Sequence, residues 1–137
     1  MIKQPIAIQV YSVRDLAVED FRGTMQAIKD MGYDGVELAG TYDLTVPEVK
    51  KILDDIGLEM PSAHVKVPLL EQDEVLDDFA ATGLKYIAVP HISGLDDEPS
   101  VMATIERIRD IAIRCRERGM KLLYHNHFVE FEKINDK

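Results

Sequence analysis

A unit of helix, glycine and strand recurs along the sequence. Gly32, Gly57, Gly83 and Gly119 each follow an amphipathic helical pattern and precede a short apolar run. Glycine is common just past the last turn of a helix, because it adopts the left-handed conformation there without a steric penalty. Strands that alternate with helices, with no hairpin dipeptide between them, are typical of βαβ units and a parallel sheet. We therefore predict an α/β fold.

The periodicity of apolar residues predicts five strands and four helices. The strands are predicted at residues 5–11, 34–38, 60–65, 86–90 and 122–125. The helices are predicted at residues 18–31, 45–56, 75–80 and 102–115. The second helix has the clearest start, because Thr45 and Glu48 have capping-box spacing with Pro47 between them.

Two architectures are built from such units, an open doubly wound sheet and a closed (β/α)₈ barrel. The turn after the first predicted strand is Tyr-Ser-Val-Arg-Asp, residues 11–15, and the chain contains neither a G-x-G-x-x-G motif nor a P-loop. This weakens the case for a nucleotide-binding open sheet. It does not by itself establish the barrel.

Length and charge limit the classes of function. The 137 residues predict a single domain, and the formal net charge of −9 argues against nonspecific binding to nucleic acid or anionic membranes. No apolar run approaches the length of a membrane span, and no signal-peptide pattern opens the chain, so we expect a cytoplasmic protein. Cys115 is the only cysteine, which excludes an intrachain disulfide, and its helical position predicts burial.

Polar residues fall where the predicted strands end, the edge at which both architectures place their ligand sites. All four histidines lie there and none lies in a predicted helix. Within the segment Tyr-His-Asn-His, residues 124–127, an extended strand would point His125 and His127 to the same side. The candidates at this edge are Gln9, Tyr11, Arg14, Glu37, His64, His91, His125, Asn126 and His127.

Structural alternatives exist for several of these residues. Glu37 could form a salt bridge with a neighbouring cation, since a buried carboxylate without a partner is costly. His64 could cap a loop, and His91 could simply be exposed after Pro90. Arg14 could clamp an oxyanion, or could pair with Asp15 or Asp20 at the start of a helix.

Four segments together resemble the sugar phosphate isomerase/epimerase family, the xylose isomerase-like TIM barrels. They are Gln-Val-Tyr-Ser-Val-Arg-Asp (9–15), Met-Gly-Tyr-Asp-Gly-Val-Glu-Leu (31–38), Ser-Ala-His-Val (62–65) and Tyr-His-Asn-His-Phe-Val-Glu-Phe (124–131). The resemblance implies a (β/α)₈ fold with a divalent metal, Mn²⁺, Mg²⁺ or Zn²⁺, at the carboxyl end of the barrel. It also implies a proton or hydride shift on a sugar, sugar phosphate or polyol.

The resemblance also implies roles for individual residues. Glu130 corresponds to a metal-binding carboxylate, and a histidine is the alternative metal ligand. A turn after Asn126 is needed to bring Glu130 to the side of His125. The catalytic candidates are Glu37, His64, His125 and His127. The expected substrate contacts are Gln9, Tyr11, Arg14, His91 and Asn126.

The length departs from the family pattern, because a (β/α)₈ barrel has roughly 250 residues. Residues 1–137 are therefore expected to be one domain, the N-terminal portion of a barrel cut short, without a complete active site of its own. Its open strand edge predicts self-association. Alternative functions are a metal-dependent keto-sugar dehydratase or lyase, and a noncatalytic sugar-binding or self-associating half-barrel. An abasic-site DNA endonuclease shares the fold, but the acidic charge argues against it.

Overall fold

A computed structural model describes residues 4–93 and 95–133 of the chain. They form a single sheet of five parallel strands, and the order of the strands in the sheet is their order in the sequence. The strands are β1 (Ala7–Gln9), β2 (Gly35–Ala39), β3 (Glu59–His64), β4 (Tyr86–Val89) and β5 (Lys121–Tyr124). A doubly wound sheet reverses its strand order at a switch point. The sequential order seen here instead matches part of a barrel wall.

Helices connect the strands on one face of the sheet. They are α1 (Arg14–Glu19), α2 (Phe21–Asp30), α3 (Val46–Ile56), α4 (Val67–Leu70), α5 (Asp73–Ala81) and α6 (Glu98–Glu117). Two short 3-10 turns lie at Val10–Val13 and Val129–Phe131. The capping box predicted at Thr45 and Glu48 is present, and Gly57 ends α3 with a left-handed backbone at φ 80°.

The first predicted helix, at residues 18–31, is wrong in its extent. Two helices, α1 and α2, occupy this region and meet at Asp20, whose backbone is extended at φ −149° and ψ 91°. The Asp20 side chain accepts a hydrogen bond from the backbone N–H of Gly23 at 2.9 Å, so it caps a new helix. The sequence patterns also missed α4, which is a single helical turn with a proline at its second residue.

The main core lies between the sheet and the helices. Alternate strand residues point toward the helices and are almost fully buried, including Val36, Leu38, Ala63, Ile87 and Val89. They pack in one cluster with the inner stripes of the helices, formed by Met25, Ile28, Val49, Leu53, Leu76, Phe79, Ile111 and Cys115. The burial predicted for Cys115 is confirmed.

The opposite face of the sheet is open in the described part of the chain. It carries Glu37, Ser62 and His64 toward the carboxyl ends of the strands, and Tyr86 and Leu123 are 43% and 39% exposed. In a closed barrel this face would point to the interior. The sheet therefore has one covered apolar face and one open face with polar groups at its edge.

An irregularity in the register sets the position of Glu37. Gly35 of β2 aligns with Glu59 of β3, but Glu37 aligns with Ser62, so β3 places one extra residue in this interval. A Cβ atom on Gly35 would lie 2.6 Å from the backbone oxygen of Glu59. Glycine is therefore required at this close approach, and the shift brings Ser62 beside the Glu37 carboxylate.

Among residues 4–93 and 95–133, no helix combines the length and apolar character needed to cross a membrane.

We predict that Leu53→Ala lowers the free energy of unfolding by about 2 to 5 kcal/mol, because it leaves a cavity at a fully buried position in α3. Urea unfolding at a fixed protein concentration measures the change. Met31→Ala is the control, since Met31 is largely exposed and its loss should change stability by less than about 0.5 kcal/mol. Equal effects of the two substitutions would contradict the packing described here.

Candidate functional site

A carboxylate held by two neutral donors forms the centre of the site. The Gln9 amide nitrogen donates to Glu37 Oε1 at 2.6 Å, and the Ser62 hydroxyl donates to Glu37 Oε2. Gln9 is the register partner of Glu37 on β1, and Ser62 is its partner on β3. The parallel pairing of three strands therefore places both donors beside one carboxylate.

An imidazole completes this group, which we call the Glu37 cluster: Gln9, Glu37, Ser62 and His64. The Nε2 atom of His64 lies 3.3 Å from Glu37 Oε1 and 3.4 Å from the Gln9 amide nitrogen. It can donate to the carboxylate or accept from the amide, according to which ring nitrogen carries the proton. The side chains of His64 and Glu37 are 11% and 27% exposed, so a ligand at the sheet edge could reach both.

The surroundings lower the pKa of both ionisable groups in the Glu37 cluster. Burial raises the pKa of Glu37, but the hydrogen bonds from Ser62 and Gln9 and the nearby His64 and His125 rings outweigh it. Burial lowers the pKa of His64, and His125 lowers it further, while the Glu37 charge opposes both effects. At neutral pH this favours an ionised carboxylate beside a neutral imidazole.

A row of four imidazoles continues from the Glu37 cluster along the carboxyl edge. The ring centroids of His64 and His125 are 5.1 Å apart, those of His125 and His127 are 4.9 Å apart, and those of His127 and His91 are 5.3 Å apart. The residues come from β3, β4 and β5 or from the segments just after them. All four histidines predicted to lie at strand ends therefore meet in one row.

Glu130 is turned back onto the segment that precedes it. It accepts a hydrogen bond from the Tyr124 hydroxyl at 2.5 Å and another from the backbone N–H of His127 at 2.7 Å. Burial and the hydrogen bond to Glu130 raise the pKa of Tyr124 to about 12. The hydrogen bond from Tyr124 is the main cause that lowers the pKa of Glu130. The chain turns between the end of β5 at Tyr124 and the 3-10 turn that begins at Val129, and this turn places the Glu130 carboxylate against Tyr124 and the His127 backbone.

Solved structures share this arrangement of strands and helices. The chain is similar to a sugar phosphate isomerase/epimerase from Parabacteroides distasonis ATCC 8503, with a TM-score of 0.83, 22% identity, and coverage of 96% of this chain and 58% of the other. A xylose isomerase-like TIM barrel protein from Mycobacterium smegmatis, in complex with magnesium, gives a TM-score of 0.65, 16% identity and coverage of 88% and 54%. A D-psicose 3-epimerase, in the presence of D-fructose, gives a TM-score of 0.58 and 16% identity, with coverage of 87% of this chain and 51% of the other.

The chain has the fold of about half of a (β/α)₈ TIM barrel. It spans a little over half the length of these solved structures. The predicted α/β class and partial barrel are confirmed. No family model matches the sequence, and no curated protein matches it.

Three other predicted site residues, Tyr11, Arg14 and Asn126, also lie near this edge and differ in their contacts and exposure. Arg14 stacks over the ring of Tyr11, with its guanidinium carbon 4.4 Å from the ring centroid, and donates to the Tyr11 carbonyl at 2.9 Å. Arg14 also lies 3.8 Å from Asp15, the ion pair considered as its structural alternative. Asn126 is exposed between the two histidines of the β5 segment.

Ser62 is the site residue that the sequence analysis missed. It is one of two polar or charged residues buried in the described part of the half-barrel. Its signal was present in the segment Ser-Ala-His, since residues two apart on a strand share a face. Ser62 therefore had to lie on the same side as His64.

Within residues 4–93 and 95–133, no group of three or more histidine, cysteine, aspartate or glutamate side chains is arranged to hold a metal ion. The row of imidazoles and the folded-back Glu130 do not by themselves form the coordination set implied by the resemblance.

We predict that Ser62→Ala raises the pKa of Glu37, because the carboxylate loses a hydrogen bond that stabilises its charged form. Titration of the Glu37 side-chain carboxyl by ¹³C NMR measures the change. Ser93→Ala is the control, because Ser93 lies outside the Glu37 cluster. An unchanged Glu37 pKa in Ser62→Ala would refute the hydrogen bond as its cause.

We predict that the free energy of unfolding falls on acidification in two pH ranges, an upper one due to His64 and a lower one due to Glu37. A His64 pKa below its ordinary value of about 6.5 means that the unfolded chain binds more protons, so stability is lost as the pH falls below 6.5. The lowered pKa of Glu37 contributes stability above the ordinary carboxyl range, and this is lost as the pH falls through its folded pKa. His64→Gln should remove the upper range in urea unfolding measured from pH 8 to pH 4. An identical pH profile in that variant would count against the assignment.

Proposed function

We propose that the carboxyl edge of this half-barrel binds a sugar, and that an intact barrel carrying it acts as a sugar isomerase or epimerase. The observation that supports this most directly is the Glu37 cluster, an ionised carboxylate and a neutral imidazole held at a partly exposed strand edge. Carboxylates and imidazoles bind sugar hydroxyls and transfer protons. The similarity to sugar isomerase and epimerase structures adds support at the level of the fold.

The two groups suit different parts of a proton shift. Glu37 has its charge stabilised by two donors, which makes it a weak base but a good acceptor of hydrogen bonds from sugar hydroxyls. A carboxylate has about four lone-pair sites, so the bonds from Gln9 and Ser62 leave room for a substrate hydroxyl. We assign to Glu37 the binding and orientation of the sugar.

His64 is the proposed proton carrier. Its lowered pKa keeps the imidazole neutral near pH 7, so it can accept a proton. Removal of the proton from the carbon next to a sugar carbonyl leaves an enediolate, with the negative charge on the former carbonyl oxygen. Return of the proton to the other face of the same carbon gives the epimer. Delivery of the proton to the former carbonyl carbon, with transfer of the hydroxyl proton from one oxygen to the other, gives the isomer. The proposed roles of His125 and His127 are to contact the sugar or to relay this proton, since their rings continue the row from His64.

We predict that Glu37→Gln weakens the binding of D-fructose by roughly 10- to 100-fold, the change expected when a hydrogen bond to a charged group is lost. Chemical-shift changes in ¹H–¹⁵N spectra during titration with the sugar measure the affinity. Glu106→Gln, on the exposed face of α6, is the matched control. Unchanged affinity in Glu37→Gln, or shifts confined to residues away from the carboxyl edge, would contradict the proposal.

A divalent metal, Mn²⁺, Mg²⁺ or Zn²⁺, belongs to this proposal only for an intact barrel. The one supporting observation outside this chain is the magnesium in the similar Mycobacterium smegmatis protein. Glu130 remains the proposed ligand, and binding would have to compete with its hydrogen bonds from Tyr124 and His127. The affinity of these 137 residues alone should therefore be weak.

Millimolar Mn²⁺ is expected to broaden the NMR signals of His125, His127 and Glu130, and EDTA should restore them. Signals of α2 on the helical side of the sheet provide the internal reference. If the three residues and the reference broaden equally, the metal assignment is wrong.

We also propose that the chain self-associates. The outer strands β1 and β5 each have one edge without a strand partner in the described part of the sheet, and Tyr86 and Leu123 are exposed on its open face. A second copy could cover both features. We assign this face to contact between copies of the chain.

Light scattering at micromolar concentration should then give a mass above the 15.5 kDa of one chain. Leu123→Glu should shift the mass toward that of the monomer, since it places a charge on the open face. Met31→Glu, at an exposed position after α2, should leave the mass unchanged. A compact monomer for the unsubstituted chain at all concentrations would refute self-association.

A further inference from the structure

A cavity of about 540 Å³ lies beside the Glu37 cluster. Gln9 and His64 line one part of it, at the carboxyl ends of β1 and β3. The segments that follow β2, β3 and β4, the start of α3, and residues of α4 and α5 line the rest, so the cavity runs from the polar sheet edge toward the helical layer. Its apolar wall is formed by Leu44, Val46, Val65, Leu69, Val75 and Phe79.

The size and position of the cavity suit a small ligand. Pockets for small molecules occupy roughly 300 to 1,000 Å³ and combine apolar walls with a few polar groups. Two large apolar side chains that line the cavity, Tyr11 and Leu69, are 56% and 45% exposed. A ligand seated here would cover apolar surface that water now contacts, which favours binding.

The charges around the cavity disfavour a phosphate group. Lys66 is the single cation among the described residues that line it, and Asp78 carries the opposite charge. The N-terminus of α3 also borders the cavity, but its capping box already places the Glu48 carboxylate on the Thr45 N–H at 2.8 Å. Phosphate sites typically offer several cationic or free N–H donors.

We propose that this cavity is a subsite for an uncharged apolar group, such as an aryl ring, joined to the sugar that the Glu37 cluster binds. The inference rests on the proposed function and makes it more specific. The substrate class is a sugar conjugate with a polar ring at the sheet edge and an apolar substituent between α3 and α5. A sugar phosphate would leave the apolar wall uncovered and would bring a dianion to a cavity with one cation.

Phenyl β-D-glucoside and methyl β-D-glucoside are the probes, because they share the sugar and differ in the apolar group. The phenyl compound should bind the chain about tenfold more tightly, the change expected when part of an aromatic ring leaves water. Chemical-shift changes from the phenyl group should map to Val75, Phe79 and Leu44, and those shared with the methyl compound to the Glu37 cluster.

Two substitutions test the location of the phenyl group. Val75→Trp should fill the cavity, and Leu69→Asp should place a charge at an exposed position in its wall without disturbing the core. Each should remove the tenfold gain and leave the affinity for methyl β-D-glucoside unchanged. Ile105→Trp is the matched control, since Ile105 lies at an exposed position of α6, outside the cavity, and the gain should persist there.

The outcomes separate this inference from the function on which it rests. If methyl β-D-glucoside binds in a way that depends on Glu37 but the phenyl group adds no affinity, the subsite is wrong and the sugar site stands. A gain that survives both Val75→Trp and Leu69→Asp would also overturn the subsite. If phenol binds in the cavity and neither glucoside binds more tightly than phenol, the sugar site fails, and with it the assignment of this substrate class.

Discussion

Glu37 is a partly buried carboxylate, and the parallel sheet both determines its position and supplies the donors that stabilise its charge. Val36 and Leu38, its neighbours on either side, are buried against the helices, so alternation forces the carboxylate onto the opposite face. An ionised carboxylate that is partly removed from water is destabilised unless polar groups compensate it. The register partners on both sides, Gln9 and Ser62, supply those groups. The same pairing that holds the wall of the half-barrel together therefore determines where its charge lies and keeps it ionised.

The elements that the sequence predicted well are those with local and repeated signals. All four glycines of the repeat have positive φ angles, between 77° and 95°, and a predicted strand follows each of them. The break between α1 and α2 was missed because apolar residues keep helical spacing across it. The side chain of Asp20 decides that break, and an aspartate occupies the same place in the pattern whether its side chain is solvated or caps a helix. The four residues of α4 were too few to show a period.

The part of the candidate site that could be predicted is the set of residues at the ends of the predicted strands. The four histidines come from three strand ends, and the parallel order of the strands brings them into one row. The contact between Ser62 and Glu37 could not be read in the same way, because it depends on the extra residue that β3 inserts opposite Gly35–Glu37. Nor could any pattern show that Glu130 binds Tyr124 and the His127 backbone. Such contacts depend on turn geometry and strand register, which cannot be predicted from residue spacing alone.

Closure of the barrel would act on the two ionisable groups of the Glu37 cluster in opposite directions. Burial raises the pKa of Glu37 and lowers that of His64, and both side chains still have exposed surface to lose. Further coverage of the inner face would therefore make the carboxylate a stronger base and would hold the imidazole neutral more firmly. In the open half-barrel the hydrogen bonds from Ser62 and Gln9, together with the nearby His64 and His125 rings, outweigh burial and keep the pKa of Glu37 low. The basicity of Glu37 and His64 thus depends on what covers the inner face as much as on the residues that form the cluster.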